Sequence, residues 1–102
     1  MKRVMVSYKV HADQSGENQA YVKKVYDELQ ANSPAGLRYA TFLQEDSVTF
    51  VHIAEISTED GSNPLGETAA FKAFQAGIQD RCEIPPVAIE IEEVGSYNFF
   101  VN

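Results

Sequence analysis

The stretch Gly36–Ile56 reads GLRYATFLQEDSVTFVHIAEI, two arms of alternating character around a polar turn. In the first arm Leu37, Tyr39, Thr41 and Leu43 alternate with Arg38, Ala40, Phe42 and Gln44. Glu45 and Asp46 make the turn. In the second arm Val48, Phe50, His52, Ala54 and Ile56 share one face, and Thr49, Val51, Ile53 and Glu55 share the other. Successive side chains of a strand point to opposite faces, so this period-2 pattern predicts a β-hairpin. Both faces of the second arm hold apolar residues, so each needs cover.

Outward from the hairpin, each flank reads as a strand paired with a helix. Towards the N-terminus, Val4, Val6, Tyr8 and Val10 alternate with Met5, Ser7 and Lys9, a strand over residues 3–10. Val22, Val25, Tyr26 and Leu29 then recur at helical spacing from Gly16 or Glu17, with Asp13 or Ser15 available as a cap. Asn32-Ser33-Pro34 ends that helix, because proline lacks the N–H a helix requires. Gly36 opens the first arm of the hairpin. Towards the C-terminus, Thr58–Gly66 is a loop by composition. Ala70, Phe71, Phe74, Gly77 and Ile78 form the stripe of a second helix, which Pro85-Pro86 stops. A last strand is expected over Val87–Val94, with Val87, Ile89 and Ile91 inward, Glu90 and Glu92 outward, and a bend at Gly95. The tail Tyr97-Asn98-Phe99-Phe100-Val101 is too aromatic to stand in water and is expected to pack on the domain or, the preferred reading, on a second subunit.

The element order is β-α-β-β-α-β, a ferredoxin-like α+β fold, and right-handed crossovers put both helices on one face of an antiparallel sheet. The other face is then left open. It holds Phe50 and His52 on one assignment of the hairpin, or Val51 and Ile53 on the other. Either set needs a partner surface, which predicts a homodimer with two sheets face to face, a dimeric α/β barrel. A chain of 102 residues builds one core, so residues 1–102 are expected to be a single domain.

Composition narrows the partners. Eight Lys and Arg against fifteen Asp and Glu give a net charge of -7, which repels nucleic acid and anionic membranes. The N-terminus leads into a strand without a long apolar run, so neither a membrane span nor an export signal is expected, and the compartment expected is the cytoplasm. Cys82 is the single cysteine and is expected to be a buried, inert thiol, so no intrachain disulfide or thiolate metal cluster is expected.

With this order in place, the chain resembles the antibiotic-biosynthesis-monooxygenase-like group of dimeric α/β-barrel proteins. The resemblance spans nearly the whole chain. It rests on Arg3-Val4-Met5-Val6-Ser7-Tyr8-Lys9-Val10, on the hairpin arms Gly36–Phe42 and Val48–Ala54, and on Ala70-Phe71-Lys72-Ala73-Phe74. It implies homodimers with a pocket between sheet and helices in each subunit. In that group some members oxygenate polycyclic phenols without a cofactor and others degrade haem. The haem-degrading branch is marked by Asn, Trp and His, whereas this chain has no Trp and carries Ala69 and Ala70 where many relatives place a histidine. Oxygenating members also tend to place a Trp near the pocket. No cofactor is expected here.

His52 is the candidate catalytic residue, a mid-strand imidazole in an apolar setting and therefore a candidate general base. Such a base takes a proton from a phenol or hydroquinone, and the resulting anion reduces oxygen. Tyr8, Arg38 or Tyr39 would donate to the developing oxyanion, and Phe50, Phe71 and Phe74 would wall in a hydrophobic aromatic small molecule. The plainer reading makes His52 a hydrogen-bonded histidine at a dimer interface and the chain a non-catalytic binding or assembly module. His11, Asp13 and Glu17 read as a polar turn with helix capping rather than as a metal site. Glu90, Glu92 and Glu93 read as solvated strand charges.

Overall fold

The computed structural model describes residues 1–99. Its elements run β1 (Lys2–Val10), α1 (Ser15–Asn32), β2 (Leu37–Leu43), β3 (Thr49–Ile56), α2 (Ala69–Arg81) and β4 (Cys82–Glu90). Short 3-10 turns, Ala12–Gln14 and Pro64–Glu67, precede the two helices. The four strands are antiparallel in the order β2-β3-β1-β4, which is the ferredoxin-like arrangement expected from the sequence.

The ends of the elements follow from local chemistry. Helix α1 starts one residue before the earlier expected position, and neither Asp13 nor Ser15 caps it. Gln14 occupies the cap position without a side-chain bond, and Ser15 Oγ instead donates to Ser47 O at 2.6 Å, tying the helix to the hairpin turn. At the other end Ser33 adopts a left-handed conformation (φ 46°), and its N–H closes on Leu29 O at 2.7 Å before Pro34 ends the helix. Gly36 has φ 79°, and a Cβ there would stand 3.0 Å from the Thr58 backbone nitrogen, so both conformation and space call for glycine. In the hairpin turn Asp46 Oδ1 accepts from the backbone N–H groups of Val48 and Thr49 at 3.0 and 2.9 Å. Helix α2 is capped by Thr68, whose hydroxyl accepts from Phe71 N–H at 3.2 Å.

The register settles which face of the hairpin meets the helices. Val6 stands opposite His52, and His52 opposite Thr41; Tyr8 stands opposite Phe50. Phe50 and His52 therefore face the helices, and Val51 and Ile53 face the open side. The core forms where Tyr8, Val10 and Phe50 meet Val22 and Val25 of α1, Phe74 and Ile78 of α2, and Leu65.

Strand β4 departs from expectation. It begins at Cys82, directly out of α2, and runs through Pro85 and Pro86 rather than starting after them. An edge strand tolerates proline because one row of its N–H groups has no ladder to join, and the register shift opposite Ser7–Lys9 accommodates the pair. The shift also corrects the expected facing. Val87 pairs with Ser7 and Ile89 with Met5, so both sit on the open face, 57% and 48% exposed, instead of pointing inward. Residues 91–99 are not strand; Ile91 N–H bonds to Arg3 O at 2.9 Å. Val94, Tyr97 and Phe99 are exposed on this chain, and the Phe100 and Val101 part of the expected aromatic tail lies outside the described residues. Glu92 and Glu93 are exposed, and Glu90 forms a surface pair with Lys2 at 3.6 Å. Cys82 is half-buried rather than buried, with its thiol pushed up mainly by that burial. Among the described residues no helix is long and apolar enough to cross a membrane.

Candidate functional site

Between the sheet and α2, roofed by the Pro64–Glu67 turn, lies a cavity of about 220 Å³. Its sheet side is built by Val4, Val6 and Tyr8 from β1, Tyr39 from β2, and His52 and Ala54 from β3. Phe71, Phe74 and Ile78 descend from α2, and Leu65 closes the roof. Period-2 alternation delivers the strand residues to one side, and the i, i+3, i+7 spacing of the α2 residues turns them towards the sheet. The aromatic rings form a continuous layer. Tyr8 stacks on Phe50 at 5.4 Å, His52 lies 5.6 Å from Phe74, and Phe74 stacks on Phe71 at 5.8 Å.

A chain of hydrogen bonds runs beneath that layer. Tyr8 Oη lies 2.8 Å from His52 Nε2, and Tyr39 Oη lies 2.5 Å from His52 Nδ1. Thr41 Oγ1 makes a second approach to Nδ1 at 3.1 Å and bonds Tyr26 Oη at 2.7 Å. On the other side Asn18 Nδ2 donates to Tyr8 Oη at 2.9 Å, and Arg81 Nε donates to Asn18 Oδ1 at 3.0 Å. Arg81 also donates to Phe74 O at 2.9 Å and lies over the Tyr21 ring at 4.3 Å. Among the described residues no buried side-chain N or O atom lacks a partner.

Burial sets the charge state of the site. It drives the His52 pKa down to about 4, because an imidazolium there would give up its hydration without an anion to replace it. Burial likewise raises the Tyr8, Tyr39 and Tyr26 hydroxyls above the usual phenol range. At neutral pH the site holds a neutral imidazole between two neutral phenols, a set of directed donors and acceptors without formal charge. Taking a proton from a phenol of pKa about 10 onto an imidazole near 4 is uphill by roughly 8 kcal/mol at about 1.4 kcal/mol per unit. His52 as it stands is better suited to holding hydrogen bonds than to removing protons.

The structure brings His52, Tyr8, Tyr39, Phe71 and Phe74 together around the cavity. It does not bring Phe50 or Arg38 there. Phe50 is sealed beneath Tyr8, 2% exposed, and Arg38 lies across the open face, where it pairs with Glu55 at 3.9 Å. Glu55 also pairs with Arg3 from the neighbouring strand. Asn18 and Arg81 were not anticipated, although both carry a sequence signal. Asn18 continues the Val22, Val25, Leu29 stripe one turn towards the N-terminus, and Arg81 continues the Phe74, Ile78 stripe. A polar residue in phase with a buried stripe marks a hydrogen-bonded group in the core.

No family model matches the chain, and no curated protein matches it. Solved structures do. A structure described as an antibiotic biosynthesis monooxygenase superposes with a TM-score of 0.75 at 14% identity, covering 93% of this chain and 100% of that one. A "putative antibiotic biosynthesis monooxygenase from Nitrosomonas europaea" gives 0.76 at 16% identity, covering 93% and 100%. Another so described, from Caulobacter crescentus, gives 0.73 at 20% identity, covering 92% and 90%. At these identities the likeness is one of fold, and it is the fold that the resemblance of the sequence implied.

Proposed function

We propose that this chain binds a small hydrophobic aromatic molecule in the cavity over His52 and works as a homodimer joined through the open sheet face. The observation that carries the ligand reading is the composition of the cavity. Apolar and aromatic side chains form most of its walls, with Lys2, Asn63 and Gln75 among them, and the Tyr8 and Tyr39 hydroxyls and the His52 ring converge on the sheet side. Pockets for small molecules have this character: apolar walls for affinity and a few placed polar groups for orientation. An apolar cavity of roughly 150 Å³ takes benzene, so about 220 Å³ suits one substituted ring better than a polycycle. The dimer reading is supported by Phe42, Ile84, Val87 and Ile89, which stand exposed on the face that also carries Val51 and Ile53.

A ligand screen by thermal shift tests the binding reading, since a molecule that binds only the folded state raises its apparent stability. Single-ring phenols and aryl ketones should raise the melting temperature of the wild type and not of Ala54→Leu, which fills part of the cavity. Silence across phenols, quinones, ketones and haem favours a non-catalytic assembly module.

Oxygenation is the second reading, favoured by the names of the fold neighbours, which call them antibiotic biosynthesis monooxygenases. His52 would then act as base, with binding energy offsetting its low basicity. Oxygen uptake with a hydroquinone or anthrone should fall in His52→Ala, and unchanged uptake removes His52 from catalysis.

A further inference from the structure

We infer that Arg81, acting through Asn18 and Tyr8, places the single imidazole proton of His52 on Nδ1, which leaves the Tyr39 hydroxyl as a hydrogen-bond donor to the cavity and makes an aromatic carbonyl compound its ligand class. The ligand half of this inference rests on the reading of the cavity as a binding site, and adds which polar group the ligand must carry.

The direction of the chain is fixed at one end by a group whose chemistry is unambiguous. A guanidinium donates hydrogen bonds and cannot accept them. Because Arg81 Nε lies 3.0 Å from the Asn18 side chain, the amide must turn its oxygen to Arg81. Its nitrogen then faces Tyr8 Oη at 2.9 Å and donates to it. The guanidinium is itself held in place by Phe74 O and by the Tyr21 ring, so the amide has little freedom to reverse.

Tyr8 Oη, having accepted from Asn18, has one hydrogen to give, and His52 Nε2 is the acceptor at 2.8 Å. The opposite arrangement puts the imidazole proton on Nε2. Tyr8 Oη would then accept twice, and its hydrogen would find no other acceptor among the described residues at a position 3% exposed. A neutral imidazole carries one proton, and burial keeps this ring neutral. With Nε2 accepting, that proton is on Nδ1, directed at Tyr39 Oη with Thr41 Oγ1 as a second acceptor.

Tyr39 Oη then accepts from His52, and its own hydrogen turns either to Thr41 Oγ1, a side-chain partner of this hydroxyl, or to the cavity. Tyr39 lines the cavity and is only half-buried, so this hydrogen is available to a ligand. A ligand carbonyl oxygen accepts it. A hydrocarbon of the same shape offers it nothing and leaves it to Thr41. Arg81 and Asn18 touch nothing in the cavity; they are positioning residues.

The test reads the proton directly. In the full chain near neutral pH, 15N NMR of the His52 ring should show a protonated Nδ1 and a bare Nε2. Asn18→Asp replaces the donating amide by a carboxylate that still pairs with Arg81. Tyr8 then donates to the carboxylate and accepts from His52, so the proton should move to Nε2, and Tyr39 should donate to Nδ1 instead of to the cavity. Acetophenone and its hydrocarbon isostere α-methylstyrene read the consequence. The ketone should bind wild type more tightly, by up to about fivefold, the worth of one hydrogen bond, and this preference should vanish in Asn18→Asp and in Tyr39→Phe. Should Asn18→Asp fail to fold, the wild-type spectrum and Tyr39→Phe still decide. A wild-type proton on Nε2, or equal affinity for the two probes, overturns the inference and leaves the cavity reading standing. Binding of neither probe overturns the cavity reading and the assigned ligand class with it.

Discussion

The Tyr8 hydroxyl and the His52 ring meet at 2.8 Å in a part of the core where their residues are 3% and 5% exposed. Each satisfies a buried polar atom of the other. A strand-to-strand pair, one residue from β1 and one from the facing position next to it on β3, thus carries the polar centre of an otherwise apolar interior.

This burial predicts a pH dependence of stability. In the unfolded chain His52 binds its proton near pH 6.5, and in the folded chain only near about 4. Between those values the unfolded state holds more protons, so stability falls as pH is lowered through this window and is unaffected above it. The full loss is about 3 kcal/mol, at roughly 1.4 kcal/mol per unit. Urea unfolding at pH 7 and pH 4.5 measures it. Because carboxylates also titrate near the acid end, the comparison is with His52→Gln, whose stability should fall less between the two pH values.

Removing the Tyr8 hydroxyl should be costly out of proportion to its size. Tyr8→Phe strands Asn18 Nδ2 on one side and His52 Nε2 on the other, both in the core. Two buried polar groups left unpaired correspond to about 3 kcal/mol. Denaturant titration should show a lower midpoint with an unchanged slope.

Glu28 joins the two helices by an unusual route for a cap. Its carboxylate, on α1, accepts from the N–H groups of Ala69 and Ala70 at 3.1 and 2.9 Å, at the positive end of α2. Glu28→Ala should cost about 1 to 2 kcal/mol, and Glu28→Gln less, because the amide oxygen still accepts. Thermal unfolding of the two variants checks the order.

Ile53 lies between Met5 and Ala40 on the open face, half-buried in the lone chain. Ile53→Asp should leave the fold intact and break a dimer formed through this face, since an unpaired carboxylate cannot be buried there cheaply. Light scattering at micromolar concentration should give twice the chain mass for the wild type and the chain mass for the variant.

How far the sequence carried the fold is explained by what alternation encodes. The hairpin Gly36–Ile56, both helices and the ferredoxin-like order were legible because their periods are undisturbed. Strand β4 was misread because Pro85-Pro86 looked like a break, and because a register shift reversed the facing of Val87 and Ile89. Alternation within a strand says which residues share a face; pairing with Ser7 and Met5 says which face it is. The site was half legible for the same reason. His52, Tyr8 and Tyr39 stood out as polar residues on strand faces otherwise apolar, while Arg38 was admitted by its chemistry and lies on the opposite side of the sheet. Asn18 and Arg81, in phase with the helix stripes, required weighing a polar residue in a buried position as a signal rather than as a gap.

The central claim is that the cavity above His52 holds an aromatic ring, and anomalous diffraction locates such a ring directly. Crystals grown with 4-bromoacetophenone should show a bromine peak inside the cavity, in contact with Phe74 and Leu65, with the ketone oxygen within hydrogen-bond distance of Tyr39 Oη. A cavity free of bromine in crystals where the compound is bound elsewhere, or not at all, contradicts the account.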